Sequence, residues 1–176
     1  MRKLKNSELG RISVEEYKKA SKTPITLVLD NVRSALNIGS AFRTGDAFRI
    51  ERIILCGITA QPPHRDIQKT ALGATDSVDW LYFKDIKDAL ELLKEEKHQL
   101  IAIEQAEEKV LLNEFQVDES QKYALFFGNE VKGVSQEVMD SIDICIEIPQ
   151  IGTKHSLNIS VSIGVVLWDF YVKYYA

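Results

Sequence analysis

Cysteine, histidine, proline and long apolar runs are all scarce in this chain of 176 residues. The two cysteines, Cys56 and Cys145, stand far apart inside the apolar runs IILCG and IDICIEI. There a thiol reads as a small buried strand residue, not as half of a disulfide framework. His64, His98 and His155 are scattered, and none has the H-x-x-x-H or H-x-E spacing that holds zinc, so no metal site is expected. No stretch approaches the roughly 20 apolar residues that a bilayer crossing requires. The N-terminal MRKLKNSELGRISVEEYKK is charged and lacks the apolar centre of a secretory signal. The expectation is a cytoplasmic protein with no membrane partner.

Excess positive charge is also missing. The net charge of −4 argues mildly against a nucleic-acid partner, although a local patch binds phosphate on an acidic protein. Two such patches exist: Arg2, Lys3, Lys5 and Arg11 with Lys18, Lys19 and Lys22, and the group Arg33, Arg43, Arg49 and Arg52.

What the chain does contain is alternation. TPITLVLD (23–30), ERIILCG (51–57), VDWLYF (78–83), QLIAIE (99–104), YALFFG (123–128) and DICIEIP (143–149) are short apolar runs rich in β-branched residues, and read as buried strands. Between them lie helical patterns: 37–49, with Ile38, Ala41, Phe42 and Phe48 on one face; IQKTALGA, closed by Gly73; the amphipathic 85–97; a short helix near Ser135; and a long last helix from Ser156 to Tyr175. This predicts an α/β fold, a mainly parallel sheet flanked by helices, over residues 23–176, preceded by a basic extension at 1–22. Ligands then bind beyond the carboxyl ends of strands, in the loops after Asp30, Glu104, Phe127 and Ile148.

The usual nucleotide fingerprints are lacking there too. No G-x-G-x-x-G follows a strand. The segment GNEVKGVS (128–135) has Val134, not lysine, directly after its second glycine, which excludes a Walker A loop.

Three stretches carry a different signal, in order: LDNVRSALNIGSAFRTGDAF (29–48), FFGNEVKGVS (126–135) and IEIPQIGTKHSLNISVSIGVVLWDF (146–170). Together they resemble the SpoU (TrmH-like) family of RNA 2′-O-ribose methyltransferases, in the SPOUT superfamily. The resemblance spans about residues 23–172. It implies a C-terminal trefoil knot, a feature that ordinary folding rules treat as nearly absent. It implies S-adenosyl-L-methionine as cofactor, held by Glu104, Gly128, Ile148, Gly152, Ser156 and Leu157. Departures are small: Ser34-Ala35-Leu36 replaces a stretch that often holds Pro, and Gln150 replaces a commoner Met.

Residue chemistry fits that picture. Gly128 and Gly133 allow unusual dihedrals and close backbone approach. Ser156 is a candidate N-cap of the last helix, leaving backbone N–H groups free for a carboxylate. The resemblance implies catalytic roles for Arg43, Asn37, Glu130, Ser156 and Asn158. A guanidinium holds its proton, so Arg43 reads as a phosphate grip and alkoxide stabiliser, not as a base. Arg33, Arg43, Arg11 and Lys5 are the candidate RNA contacts. The expected substrate is tRNA in preference to rRNA, and the expected assembly a homodimer, with Ser160 and Gly164 forming a small strip on the last helix. The rival readings are a catalytically silent RNA- or SAM-binding module on the same fold, and a small-molecule enzyme on a plain doubly wound sheet.

Overall fold

The computed structural model describes residues 1–175. One of its inner strands is β1 (Thr23–Asp30), a run of β-branched and leucine residues almost wholly buried. A strand with both faces apolar has to be covered by helices on both sides. The elements follow as α1 (Val14–Lys19) before β1, then α2 (Ala35–Ala47), β2 (Ile50–Cys56), α3 (Arg65–Ala71), α4 (Ala74–Ser77) and β3 (Asp79–Phe83). After these come α5 (Ile86–Glu95), β4 (His98–Ile103), β5 (Val110–Leu111), β6 (Lys122–Phe127), α6 (Gln136–Met139), β7 (Ile144–Glu147) and α7 (Ile159–Tyr175). The strands form one sheet in the order β3-β2-β1-β6-β4-β7-β5. Every neighbouring pair is parallel, in line with the mainly parallel sheet expected from the strand-helix alternation.

Alternation along the strands divides the core. Leu27, Leu29, Ile53 and Leu55 pack with Ile38 and Phe42 of α2 and Val166, Leu167 and Phe170 of α7. Val28, Ile54, Ala102 and Phe126 face the other way, against Ala89, Leu90 and Leu93 of α5. Both cysteines are buried and free. Among the described residues no helix is long and apolar enough to cross a membrane, and no His/Cys/Asp/Glu cluster could hold a metal ion.

Helix ends differ from the sequence pattern where capping overrides periodicity. α2 starts at Ala35, because the Ser34 side chain accepts the Asn37 N–H. The helix expected to run to Gly73 stops at Ala71; Leu72 (φ 50°) and Gly73 (φ 88°) both take left-handed dihedrals before α4 begins. α7 begins at Ile159, not at Ser156: Asn158 Oδ1 accepts the Ser160 N–H at 2.9 Å and takes the capping place. The two-residue β5 lies in a polar stretch with no strand pattern. Gly39 lets α3 press against α2, since a Cβ there would lie 2.3 Å from the Ile67 carbonyl oxygen.

The extension is more than an arm. From Val14 it forms α1, opened by a Ser13–Glu16 capping box, and Tyr17 is buried in the core. α1 packs on α4, where β3 begins. The second arginine group also disperses. Arg52 is half-buried and forks onto Glu96, so it presents no free charge to a ligand.

That Arg52–Glu96 pair adjoins His98, whose side chain is fully buried and lies 3.6 Å from Glu96 and 3.4 Å from the Thr26 hydroxyl. Burial lowers the His98 pKa below its ordinary 6.5; Glu51 and Glu96 oppose this, and Arg52 and Lys122 add to it. The unfolded chain therefore takes up the proton first. Stability contributed by neutral His98 is complete above about pH 6.5 and is lost as the pH falls towards the depressed folded value. Urea titrations across this range should show a declining midpoint in the wild type and a flatter profile in His98→Gln. Equal slopes in both proteins would clear His98 of the effect.

Candidate active site

Loops at the carboxyl ends of β4, β6 and β7 enclose a cavity of about 480 Å³. Glu104 and Gln105 come from the first loop, Gly128 to Val131 from the second, and Ile148 with Ser156, Leu157 and Asn158 from the third. These are three of the four strand ends expected to bind ligand. The fourth, after β1, stands behind the wall.

Backbone amides in such loops have no ladder to join and need other acceptors. Glu104 supplies two: one carboxylate oxygen accepts the Gln105 N–H at 2.9 Å, the other the Val134 N–H at 3.0 Å. This binds the β4 loop to the β6 loop. Gly133 is required at the junction, with φ of 70° and room for a Cβ only 2.3 Å from Glu104 Oε2. The β6 loop also closes on itself: Asn129 and Gly133 exchange both backbone hydrogen bonds at 2.9 Å, and Asn129 Oδ1 accepts the N–H groups of Val131 and Lys132. Gly128 does not adopt the expected unusual dihedral. It is glycine for space, since a Cβ would stand 2.1 Å from the Gly133 carbonyl carbon and the Val134 nitrogen.

Glu130 reaches in the other direction. Its carboxylate accepts the N–H groups of Arg33 and Ser34, both at 3.0 Å, and a longer contact from Asn37 Nδ2 at 3.5 Å. Burial resists its ionisation, but the amide bonds outweigh that and hold its pKa below the usual carboxylate value. Its oxygens are thus committed to fastening the start of α2 to the β6 loop. A carboxylate so occupied makes a poor proton acceptor.

The structure gathers Glu104, Gly128, Glu130, Ile148, Ser156, Leu157 and Asn158 at the cavity and leaves others outside it. Gly152 is exposed, and a side chain there would meet nothing. Asn37 stands behind Glu130. Arg33 and Arg43 are exposed on and before α2, and among the described residues Arg43 forms neither an ion pair nor a side-chain hydrogen bond. Lys5 and Arg11 lie in the exposed extension. The sequence reading misses Gln105, whose side chain donates to the His155 carbonyl at 2.9 Å and joins the β4 loop to the β7 loop. A lone glutamine in a polar stretch gives no pattern to find.

The model of the SpoU rRNA methylase family matches residues 24–168. The chain belongs to this family. It is 26% identical over 149 residues to the tRNA (guanosine(18)-2′-O)-methyltransferase of Borreliella burgdorferi, covering 85% of this chain and 66% of that protein. It is 30% identical over 166 residues to the Thermus thermophilus protein of the same name, covering 93% and 82%. The AdoMet-bound rRNA methyltransferase from Sinorhizobium meliloti superposes with a TM-score of 0.78 at 25% identity, over 88% of this chain and 59% of that one. The chain thus spans less than two thirds of the length of the Borreliella and Sinorhizobium proteins.

Gly128→Ala tests the packing of the β6 loop. The added methyl has to displace the backbone of residues 133–134, a cost of about 1–3 kcal/mol typical of overpacking. A lower melting temperature and an altered cavity, read as weaker S-adenosylmethionine binding by calorimetry, are expected together. Wild-type values for both would show that the loop gives way freely.

Proposed function

We propose that this chain is an S-adenosylmethionine-dependent RNA methyltransferase acting on a ribose 2′-hydroxyl. The observation that carries this reading is that two of the family-like stretches, one after β6 and one after β7, meet across a single cavity at the carboxyl edge of the sheet. Its size lies within the range of nucleotide-sized ligand sites. The lining suits the cofactor: Glu104, although its oxygens also accept the Gln105 and Val134 amides, places negative charge at the wall beside a ligand that carries positive charge, and Ile103, Phe127, Ile148 and Leu157 offer apolar walls to its base. When bound, S-adenosylmethionine supplies an electrophilic methyl group on a sulfonium sulfur.

The chain's own part is binding and charge. Arg43 grips an RNA phosphate and stabilises negative charge growing on the ribose oxygen as the hydroxyl proton leaves to that phosphate or to water; its guanidinium stays protonated throughout, and the demethylated thioether would be the leaving group. Glu130 keeps α2, and with it Arg43, in register with the β6 loop. Asn158 caps α7 and so sets the β7 loop, with Ser156 at the cavity wall. Support for tRNA over rRNA comes from the Thermus relative, of which the chain spans 82%.

A homodimer in the cytoplasm completes the proposal. The outer face of α7 exposes Val161, Val165, Trp168 and Val172 in a continuous stripe, and Gly164 opens onto empty space instead of the sheet. These features support a second copy packing there. The trefoil knot belongs to the same proposal, supported by the β7 loop sharing its cavity with the loops after β4 and β6.

Incubation with methyl-labelled S-adenosylmethionine and bulk tRNA should leave label in 2′-O-methylnucleosides. Binding without transfer would favour the silent module, and label in small metabolites the small-molecule enzyme. Arg43→Ala should cut turnover by about 10²–10³-fold, the usual loss for a charge-stabilising group, with cofactor affinity unchanged. Near-normal turnover would remove Arg43 from the chemistry.

The extension enters the RNA contact through Lys5 and Arg11, whereas Arg2 is already forked onto Glu8. Deleting residues 1–12 should make the salt dependence of tRNA binding shallower, by about 0.7–0.9 in logarithmic slope for each phosphate no longer neutralised. An unaltered slope with a lower melting temperature would make the extension structural only.

A further inference from the structure

The end of β1 contributes nothing to the cavity wall, yet it holds a buried carboxylate. Asp30 is 1% exposed. Its Oδ2 accepts the Ser135 N–H at 2.9 Å and its Oδ1 accepts Asn31 Nδ2 at 2.8 Å. An apolar residue here would avoid the cost of removing a charge from water. What the carboxylate does instead is fix the far end of the β6 loop.

Asn31 fixes the near end. Its carbonyl accepts Asn129 Nδ2 at 2.8 Å, and its side-chain Oδ1 accepts the Ile58 N–H at 3.2 Å. Asn31 holds φ at 56°, a left-handed conformation that asparagine tolerates better than most residues. The fit leaves no slack, since a Cβ on Gly57 would lie 2.1 Å from Asn31 Oδ1. Two adjacent residues thus grasp the β6 loop at Asn129 and at Ser135, and tie in the loop after β2.

We propose that Asp30 and Asn31 are positioning residues that hold loop 128–135 in its cofactor-receiving shape without touching the cofactor. The inference rests on reading the cavity as the S-adenosylmethionine site. Asp30→Asn tests it with almost no change of shape. The amide offers one oxygen where two donors converge, so one tie is lost. Asn31→Gly tolerates the same φ and keeps the carbonyl bond to Asn129, but it removes the side-chain bonds to Asp30 and Ile58 that hold that carbonyl in place under the loop.

Hydrogen exchange is read on the protein without cofactor. In Asp30→Asn it should quicken across residues 129–135, including Lys132 and Gly133, whose N–H groups neither residue binds. Asn31→Gly should add residues 57–59. Calorimetry should show S-adenosylmethionine binding weakened roughly tenfold, the order expected for losing one hydrogen bond to a charged group. A merely structural role predicts a lower melting temperature with unchanged affinity in the folded protein. Faster exchange confined to Ser135, with wild-type affinity, overturns the proposal. Should Asp30→Asn fail to fold, Asn31→Gly decides by the same criteria. A wild-type protein that binds no S-adenosylmethionine would defeat the cofactor reading, while the exchange pattern would still test the positioning role.

Discussion

The hydrogen bond from a backbone amide to a carboxylate at the sheet's carboxyl edge is the interaction on which this structure depends. A parallel sheet delivers strand ends to one edge, but the loops beyond them have no ladder of their own. Here Asp30, Glu104 and Glu130 accept N–H groups from residues up to 105 positions away in sequence. Charge-assisted bonds of this kind are roughly twice as strong as neutral ones. They join the β1 corner to the β6 loop, the β6 loop to the β4 loop, and the β6 loop to α2. The β4 and β6 walls of the cavity are therefore held by the protein's own bonds, which lowers the ordering cost left to be met there on binding.

The same arrangement bears on charge. On the proposed function, a chain with net charge −4 would have to admit RNA near its cavity. The carboxylates closest to that approach already face amide dipoles, while Arg33 and Arg43 point to solvent. Formal charge alone overstates the repulsion, because what RNA meets is the local field.

Much of the fold is legible in the sequence, and for identifiable reasons. Doubly buried strands announce themselves as continuous apolar runs, as 23–30 and 51–57 do, and Asp85 at the head of an amphipathic run marks α5, whose Lys87 N–H it accepts. The limits are equally specific. α7 starts three residues beyond the place its pattern suggests because serine and asparagine cap comparably well, and only geometry selects Asn158 over Ser156. Sequence alone suggests a left-handed dihedral at Gly128; its real constraint, the backbone of Gly133 pressed against it, is an approach between residues that no periodicity relates. The motif glutamate, Glu130, can be placed near the site from sequence. Its partners cannot, since the two amides it grips lie almost a hundred residues earlier.

Strand order also governs how the chain comes into being. β1 and β4 lie on either side of β6, and nothing joins them until Lys122–Phe127 has been made. A nascent chain that has passed β4 therefore carries the three-stranded β3-β2-β1 half-sheet and a lone β4, with their facing hydrophobic edges unpaired. Such edges are vulnerable to wrong pairing, and non-local parallel contacts form slowly. Once β6 enters, both edges are covered in one step and its trailing loop falls between Asp30 and Glu104. The cavity edge of this protein is thus a late product of translation, and a chain that stops before residue 122 lacks the loops after β6 and β7 that form most of the wall.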